Sequence, residues 1–328
     1  MIKNFLVTGV AGFIASQVCR ELLDHGYRVV GVDNLNDYYD VRLKDWRLGQ
    51  LKRHEHAEKF HFHKLDIEDQ EGLKELFDRE GQFDAVINLA ARAGVRYSME
   101  NPHVYLSTNT GGTLNLLECI RSSGSQKLVL ASTSSLYAGQ SMPFTEALAV
   151  NEPLSPYAAS KKAGELMAYS YHKLYGVDVS VVRFFTVFGP AGRPDMSIFR
   201  FIKWIDEGET IQMFGDGSQS RDFTYVDDVA RGSVAAIQDL GYEIINLGGG
   251  RNPVTLNAII ERLESLLGKK AKIDNKPFHI ADIKETWADI DKAKNLLGWE
   301  PRVSLDEGLE KSVRWYVDNR EWLKDIEV

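Results

Sequence analysis

The sequence predicts an α/β fold, a doubly wound parallel sheet joined to a smaller, interleaved C-terminal domain. Three observations predict it. Strand-length apolar runs alternate with helix-period stretches through the first half of the chain, the pattern of βαβ units. A glycine-bearing turn follows the first run and opens the first helix. After Phe188 the alternation gives way to shorter elements behind a breaker segment, Gly189-Pro190-Ala191-Gly192-Arg193-Pro194-Asp195.

Taken in order, the predicted strands are Phe5-Leu6-Val7, Val29-Val30-Gly31-Val32, Phe60-His61-Phe62, Ala85-Val86-Ile87-Asn88-Leu89, Leu128-Val129-Leu130 and Val179-Ser180-Val181-Val182. Helix-period stretches lie between them at 13–23, 70–77, 111–120 and 158–174. Right-handed crossovers wind such units into a Rossmann sheet. Further helices are expected at 198–206, 228–238, 256–267, 291–297 and 305–317, and Ile244-Ile245-Asn246-Leu247 reads as a strand returning to the first sheet. This predicts a nucleotide-binding domain of 1–188 with about 223–250, and a substrate domain of 189–222 with 251–328.

Composition narrows the function classes. The chain has 328 residues, 44% hydrophobic and 26% charged, and a formal net charge of −8. A domain of this size needs no disulfide or metal staple, and a net acidic surface does not suit non-specific nucleic-acid binding. The two cysteines, Cys19 and Cys119, lie in helical patterns without C-x-x-C spacing, as in a reducing compartment. No signal-peptide pattern opens the sequence, and no run approaches the ~18 apolar residues of a membrane span. A cytoplasmic protein with no nucleic-acid or membrane partner is expected. His54, His56, His61 and His63 have no fixed ligand spacing, so no metal site is expected.

Val7-Thr8-Gly9-Val10-Ala11-Gly12-Phe13-Ile14-Ala15 follows a strand and opens a helix. Glycines 9 and 12 let the backbone approach a pyrophosphate, and the helix N-terminus offers free N–H groups at Phe13 and Ile14. Ala15 stands where a third glycine allows close helix–strand packing; one methyl is tolerable there. Asp33 ends the second strand, at the position of a ribose-binding acid. An acid there repels a 2′-phosphate, and Asn34 rather than arginine follows, so NAD is predicted. Asp66 and Ile67 after the third strand, with Leu89, Ala90 and Ala91 after the fourth, fit the walls of the same site.

Tyr157-Ala158-Ala159-Ser160-Lys161 starts a helix after Pro156. Tyr157 and Lys161 share a helix face, and an ammonium favours a phenolate usable as a base. Ser132-Thr133-Ser134-Ser135 sets four hydroxyls at a strand's carboxyl end, where parallel sheets bind ligands.

On these motifs the chain resembles the extended short-chain dehydrogenase/reductases, and the nucleotide-sugar epimerases among them, over essentially its full length. The resemblance implies Thr133, Tyr157 and Lys161 as the catalytic residues. It implies Asn109, in Asn109-Thr110-Gly111-Gly112-Thr113, as a cofactor-supporting asparagine, with Asn36, Ser132, Tyr157, Lys161 and Phe184 completing the cofactor set. It also implies Arg221, in Arg221-Asp222-Phe223, as a substrate-diphosphate arginine, and Asp282 as the acid on the sugar nucleotide's ribose.

Dehydratases and UDP-glucuronate decarboxylases of this superfamily carry an acid inside the hydroxyl loop; Thr133-Ser134-Ser135 carries none. Asn36-Asp37-Tyr38-Tyr39-Asp40-Val41-Arg42-Leu43-Lys44, Ala93-Gly94-Val95-Arg96-Tyr97-Ser98 and the run from Arg183 to Met196 resemble the UDP-glucuronate 4-epimerases. Thr186 and Thr286 depart from the asparagine and tyrosine usual in UDP-galactose epimerases. C4 epimerisation of UDP-glucuronate through a 4-keto intermediate is therefore expected. Hydroxyls of Ser134, Ser135 and Thr186 would hold the carboxylate, and Arg96 and Arg193 would hold the substrate. The alternatives are a UDP-glucose or UDP-N-acetylglucosamine 4-epimerase, a UDP-glucuronate decarboxylase, and a non-catalytic NAD-sensing module. Relatives pair two helices per chain into a four-helix bundle, and Leu114, Leu117 and Met167 are apolar residues available for a homodimer.

Overall fold

The computed structural model describes residues 3–250, 253–278 and 283–328. A seven-stranded parallel sheet is its centre. Its strands are β1 (Asn4–Thr8), β2 (Arg28–Asp33), β3 (Phe60–Lys64), β4 (Ala85–Asn88), β5 (Lys127–Thr133), β6 (Asp178–Phe184) and, after an intervening segment, Tyr242–Leu247. Read across, the order is β3, β2, β1, β4, β5, β6 and then Tyr242–Leu247. Strands buried on both faces need continuous apolar runs, and β1, β4, β5 and β6 are buried almost along their whole length.

The crossovers are α1 (Phe13–Asp24), α2 (Val41–Lys52), α3 (Gln70–Glu80), α4 (Val95–Glu100), α5 (Pro102–Tyr105), α6 (Thr113–Ser123) and α7 (Pro156–Tyr175). A π-helical stretch, Leu106–Gly112, joins α5 to α6; such bulges often mark functional positions, and this one carries Asn109. One face of the sheet buries Val18, Leu22 and Leu23 of α1. The other buries Leu73 and Phe77 of α3 with Leu116, Leu117 and Ile120 of α6.

The second half contains β7 (Thr186–Phe188), α8 (Ser197–Glu207), β8 (Thr210–Phe214), β9 (Ser220–Arg221), β10 (Phe223–Tyr225) and α9 (Val226–Ala235). The seventh sheet strand, β11 (Tyr242–Leu247), follows, then β12 (Val254–Thr255), α10 (Leu256–Leu267), β13 (Lys272–Lys276), α11 (Asp291–Leu297), α12 (Leu305–Asp318) and α13 (Arg320–Leu323). β11 pairs in parallel with β6 from Tyr242↔Val179 to Leu247↔Phe184, as its sequence suggested. β7 with β10, β9 with β12 and β8 with β13 make three two-stranded sheets. A separate core gathers Phe199 and Ile202 of α8, Ile259 and Leu263 of α10, and Leu309 and Tyr316 of α12. Among the described residues no helix is long and apolar enough to cross a membrane.

Candidate active site

The carboxyl ends of the sheet strands open on one cleft of about 1120 Å³. The strand order reverses beside β1, the point at which doubly wound sheets bind ligands. Thr8, at the end of β1, shapes both walls there. Its hydroxyl donates to Asn88 Oδ1 (2.7 Å) and accepts from the N–H groups of Leu89 (3.1 Å) and Ala90 (3.0 Å).

Gly9 adopts φ +70°, and a Cβ there would stand 2.9 Å from the backbone of Ala90. No side chain caps α1 at Gly12. The helix therefore presents bare N–H groups and its positive end to the cleft that Gly9, Gly12, Phe13 and Ile14 line. Ala15 is buried, so its methyl packs into the core. Asp33 is 8% exposed, its carboxylate accepting from Ala11 N–H (3.1 Å) and Leu35 N–H (2.8 Å). Asn34 donates to Asp66 Oδ2 at 2.6 Å, and Asn36 donates to Asn34 Oδ1. These side chains, with Ile67, Leu89, Ala90, Ala91, Ser132 and Phe184, border the same cleft. The uncapped helix, the glycine cradle and the strand-end acid fit a dinucleotide.

Tyr157 and Lys161 border the cleft too. Ser155 Oγ accepts from Ala158 N–H at 3.1 Å, and Pro156 occupies the first turn; this cap and proline fix where α7 begins. Thr133 ends β5, faces the Tyr157 phenol closely enough to stabilise its charged form, and donates to Ser135 Oγ at 3.1 Å. Burial pushes the Tyr157 phenol up, while the Thr133 hydroxyl and the Arg193 guanidinium work against that rise. Sequence reasoning gave the cationic task to Lys161; the cation that lowers the phenol in the structure is Arg193. Burial pushes Lys161 down to about 8, opposed by the Glu165 carboxylate one turn on.

Asn109 stands behind the cleft. Its amide accepts from Arg92 N–H (2.8 Å) and donates to Arg92 C=O and to Ser160 Oγ (both 2.9 Å). It thereby ties the wall after β4 to α7.

The expected substrate residues are more scattered. Arg193 reaches the main cleft and also borders a small apolar pocket lined by Thr186. Its guanidinium is forked onto Asp195 (3.0 and 2.5 Å) and lies 5.7 Å from the Tyr38 ring centre. Ser134 and Ser135 form the 3₁₀ turn after β5. Arg96 lies 3.9 Å from the Phe214 ring centre, and Arg221 donates to the carbonyls of Ser220 (2.8 Å) and Lys284 (3.2 Å). Ser134, Ser135, Arg96 and Arg221 do not border the main cleft. Asp282 lies outside the described residues.

Sequence reasoning missed several groups. Lys44 and Arg92 border the cleft; both bond Asn36, Lys44 to its carbonyl (2.6 Å) and Arg92 to its Oδ1 (3.2 Å). Burial pushes Lys44 down. The only available signal was the stretch ending at Lys44, read as a resemblance without roles. Glu165 was missed as well. It accepts two bonds from Arg183 (2.9 and 2.8 Å) and one from Ser132 Oγ (2.7 Å). Asp222, beside Arg221, accepts from the N–H groups of Ala288 (2.9 Å) and Gly250 (3.2 Å), and burial pushes it up to about 6. Among the described residues no three His, Cys, Asp or Glu side chains form a metal-binding group.

Residues 5–248 match the NAD dependent epimerase/dehydratase family. The chain belongs to that family. Within the family, it is 61% identical over 324 residues to the UDP-glucuronate 4-epimerase of Thermodesulfobacterium geofontis (strain OPF15), covering 99% of each chain. It resembles the crystal structure of the Bacillus cereus UDP-glucuronic acid 4-epimerase in complex with UDP-glucuronic acid and NAD, with a TM-score of 0.89 and 38% identity, covering 96% of this chain and 99% of the other. The Thermotoga maritima UDP-glucose 4-epimerase structure with UDP-glucose gives 0.87 and 33%, covering 97% and 99%.

Proposed function

We propose that this chain is an NAD-dependent UDP-glucuronate 4-epimerase, an isomerase that interconverts UDP-glucuronate and UDP-galacturonate. The observation that carries the reading is the acid-free hydroxyl turn 133–135 set against Tyr157, and near-full-length similarity to a UDP-glucuronate 4-epimerase supports it. Bound NAD supplies a reversible hydride acceptor for C4. Gly9, Gly12 and the start of α1 hold its diphosphate, and Asp33 holds the adenosine ribose.

Tyr157, as phenolate, takes the proton from O4, with the Thr133 hydroxyl facing it and the Lys161 and Arg193 cations favouring its charge. The 4-keto sugar turns its other face in the pocket, and Tyr157 returns the proton. Such a β-keto acid loses carbon dioxide fastest when its carboxylate bond stands perpendicular to the ketone plane. Ser134, Ser135 and Thr186 hold the carboxylate away from that geometry, with no carboxyl group in the turn to repel it. Arg193, Arg96 and Arg221 bind the sugar nucleotide, as does Asp282. Residues 1–188 with about 223–250 form the NAD-binding domain, and 189–222 with 251–328 the UDP-sugar domain.

The active form is a cytoplasmic homodimer. Leu117 is fully buried within the chain and is not available for the interface. Leu166 and Leu174 of α7 are 56% and 71% exposed, and Leu106, at the start of the π-helical stretch before α6, is 59% exposed; they give the pairing face instead.

The test is product analysis by chromatography and mass spectrometry on UDP-glucuronate, UDP-glucose and UDP-N-acetylglucosamine. UDP-galacturonate as the dominant product is expected. Preference for a neutral sugar would replace the uronate reading with the UDP-glucose one.

A further inference from the structure

Arg47, on α2, is 1% exposed. Its guanidinium has five N–H donors, and five hydrogen bonds leave it. Nε and Nη2 donate to Ala191 C=O (3.1 and 2.8 Å), and Nη2 also to Gly192 C=O (3.1 Å). Nη1 donates to Ala11 C=O (3.1 Å) and to Tyr39 Oη (2.7 Å). Every acceptor is neutral. A buried cation without a carboxylate partner is costly to keep, so packing alone does not explain it.

The acceptors belong to three segments that meet the two ligands. Ala11 lies in the turn between Gly9 and Gly12. Ala191 and Gly192 immediately precede Arg193. Tyr39 adjoins Tyr38, whose ring faces the Arg193 guanidinium. Ala191 is also one of two non-glycine residues with positive φ among the described residues, at +52°, a conformation that persists only where its surroundings hold it.

We propose that Arg47 is a positioning residue that couples the cofactor's diphosphate loop to the sugar-nucleotide segment; this rests on the reading of Arg193 as a substrate residue. The rigid planar fork fixes Ala11 and the 191–192 peptides relative to each other. The guanidinium bonds the turn that receives the diphosphate, and its positive charge adds to the α1 terminus in attracting an anion. A ligand that settles one segment therefore settles the other, and the effect is reciprocal. Lysine keeps the charge but has three donors at one point, so it cannot span the three segments.

The experiment measures NAD release from the holoenzyme with and without saturating UDP, by trapping the released nucleotide. In wild type, UDP slows release by roughly 5–150-fold, the usual range of such coupling. In Arg47→Lys the ratio falls close to one, and KM for UDP-glucuronate rises more than kcat falls. Leu51→Ala, which loosens α2 without touching the fork, keeps the wild-type ratio. A wild-type ratio of one, a coupled Arg47→Lys, or an equal collapse in Leu51→Ala overturns the proposal. Should Arg47→Lys fail to fold, hydrogen exchange on wild-type holoenzyme decides: UDP protects the amides of 9–15, and absence of protection overturns the proposal. Intact coupling in an enzyme that leaves UDP-glucuronate unchanged keeps the clamp and overturns the substrate reading.

Discussion

Replacing Glu165 by glutamine strikes a buried ion pair one helical turn from Lys161. Glu165 and Arg183 side chains are each 1% exposed, joined by two hydrogen bonds, with Ser132 as a third donor to the carboxylate. Glutamine leaves the Arg183 cation buried and unpaired, which costs about 3–5 kcal/mol. At ~2.1 cal/mol/K of unfolding entropy per residue, a chain of this length loses roughly 4–7 °C of Tm.

The catalytic effect has a defined sign. Lys161 is depressed to about 8 by burial, and Glu165 is the group opposing that fall. Without that carboxylate nothing offsets the desolvation, and Lys161 falls further. Lys161 must be an ammonium to favour the Tyr157 phenolate, and activity declines as pH rises through its pKa. The alkaline limb of kcat/KM, followed by UDP-galacturonate formation from pH 6 to 10, therefore moves toward neutral pH in Glu165→Gln, whereas Glu165→Asp keeps it. An unmoved limb in a folded Glu165→Gln enzyme would show that Glu165 does not tune Lys161.

Tyr157→Phe lowers turnover by roughly 10²–10⁴-fold with NAD content and Tm retained, because the ring still packs 6.0 Å from Tyr105; near-normal turnover means another base. Nucleotide released by heating wild type is NAD on ion-exchange analysis, given Asp33 at the end of β2; mainly NADP contradicts the ribose assignment. Ser134→Ala and Ser135→Ala each remove a bond to a charged group, ~1.5–3 kcal/mol, or roughly ten- to a hundredfold in hold on the carboxylate. Both release some decarboxylated UDP-pentose in mass spectra, and absence of pentose with wild-type turnover denies the serines this role. Light scattering at micromolar concentration gives a dimer mass, and a monomer mass removes the proposed pairing through Leu166 and Leu174.

The sheet was legible because strands buried on both faces carry a continuous apolar run, as in Ala85-Val86-Ile87 and Leu128-Val129-Leu130-Ala131. The glycine turn, Asp33 and the Tyr157/Lys161 spacing were legible because their chemistry depends on residue type and short separation. Helix α2 was not. Its buried face includes Lys44 and Arg47 beside Leu43, Leu48 and Leu51, so apolar periodicity is lost where the helix serves the cleft. Glu165 reads as an ordinary solvated helix residue until β6 brings Arg183 beneath it. β7, β9, β10 and β12 are two or three residues long, too short for alternation to register. The surplus of apolar residues on α6 was misread at Leu117, which the sheet buries.

The central claim is oxidation and reduction at C4 of UDP-glucuronate by one resident cofactor. Purified enzyme, with no nucleotide added, is incubated with UDP-glucuronate carrying deuterium at C4, and the UDP-galacturonate formed is examined by NMR and mass spectrometry. The account predicts that the deuterium is retained at C4 of the product, because the label never leaves the closed site. Loss of deuterium to solvent, or label retained only in unreacted substrate with no UDP-galacturonate formed, would contradict it.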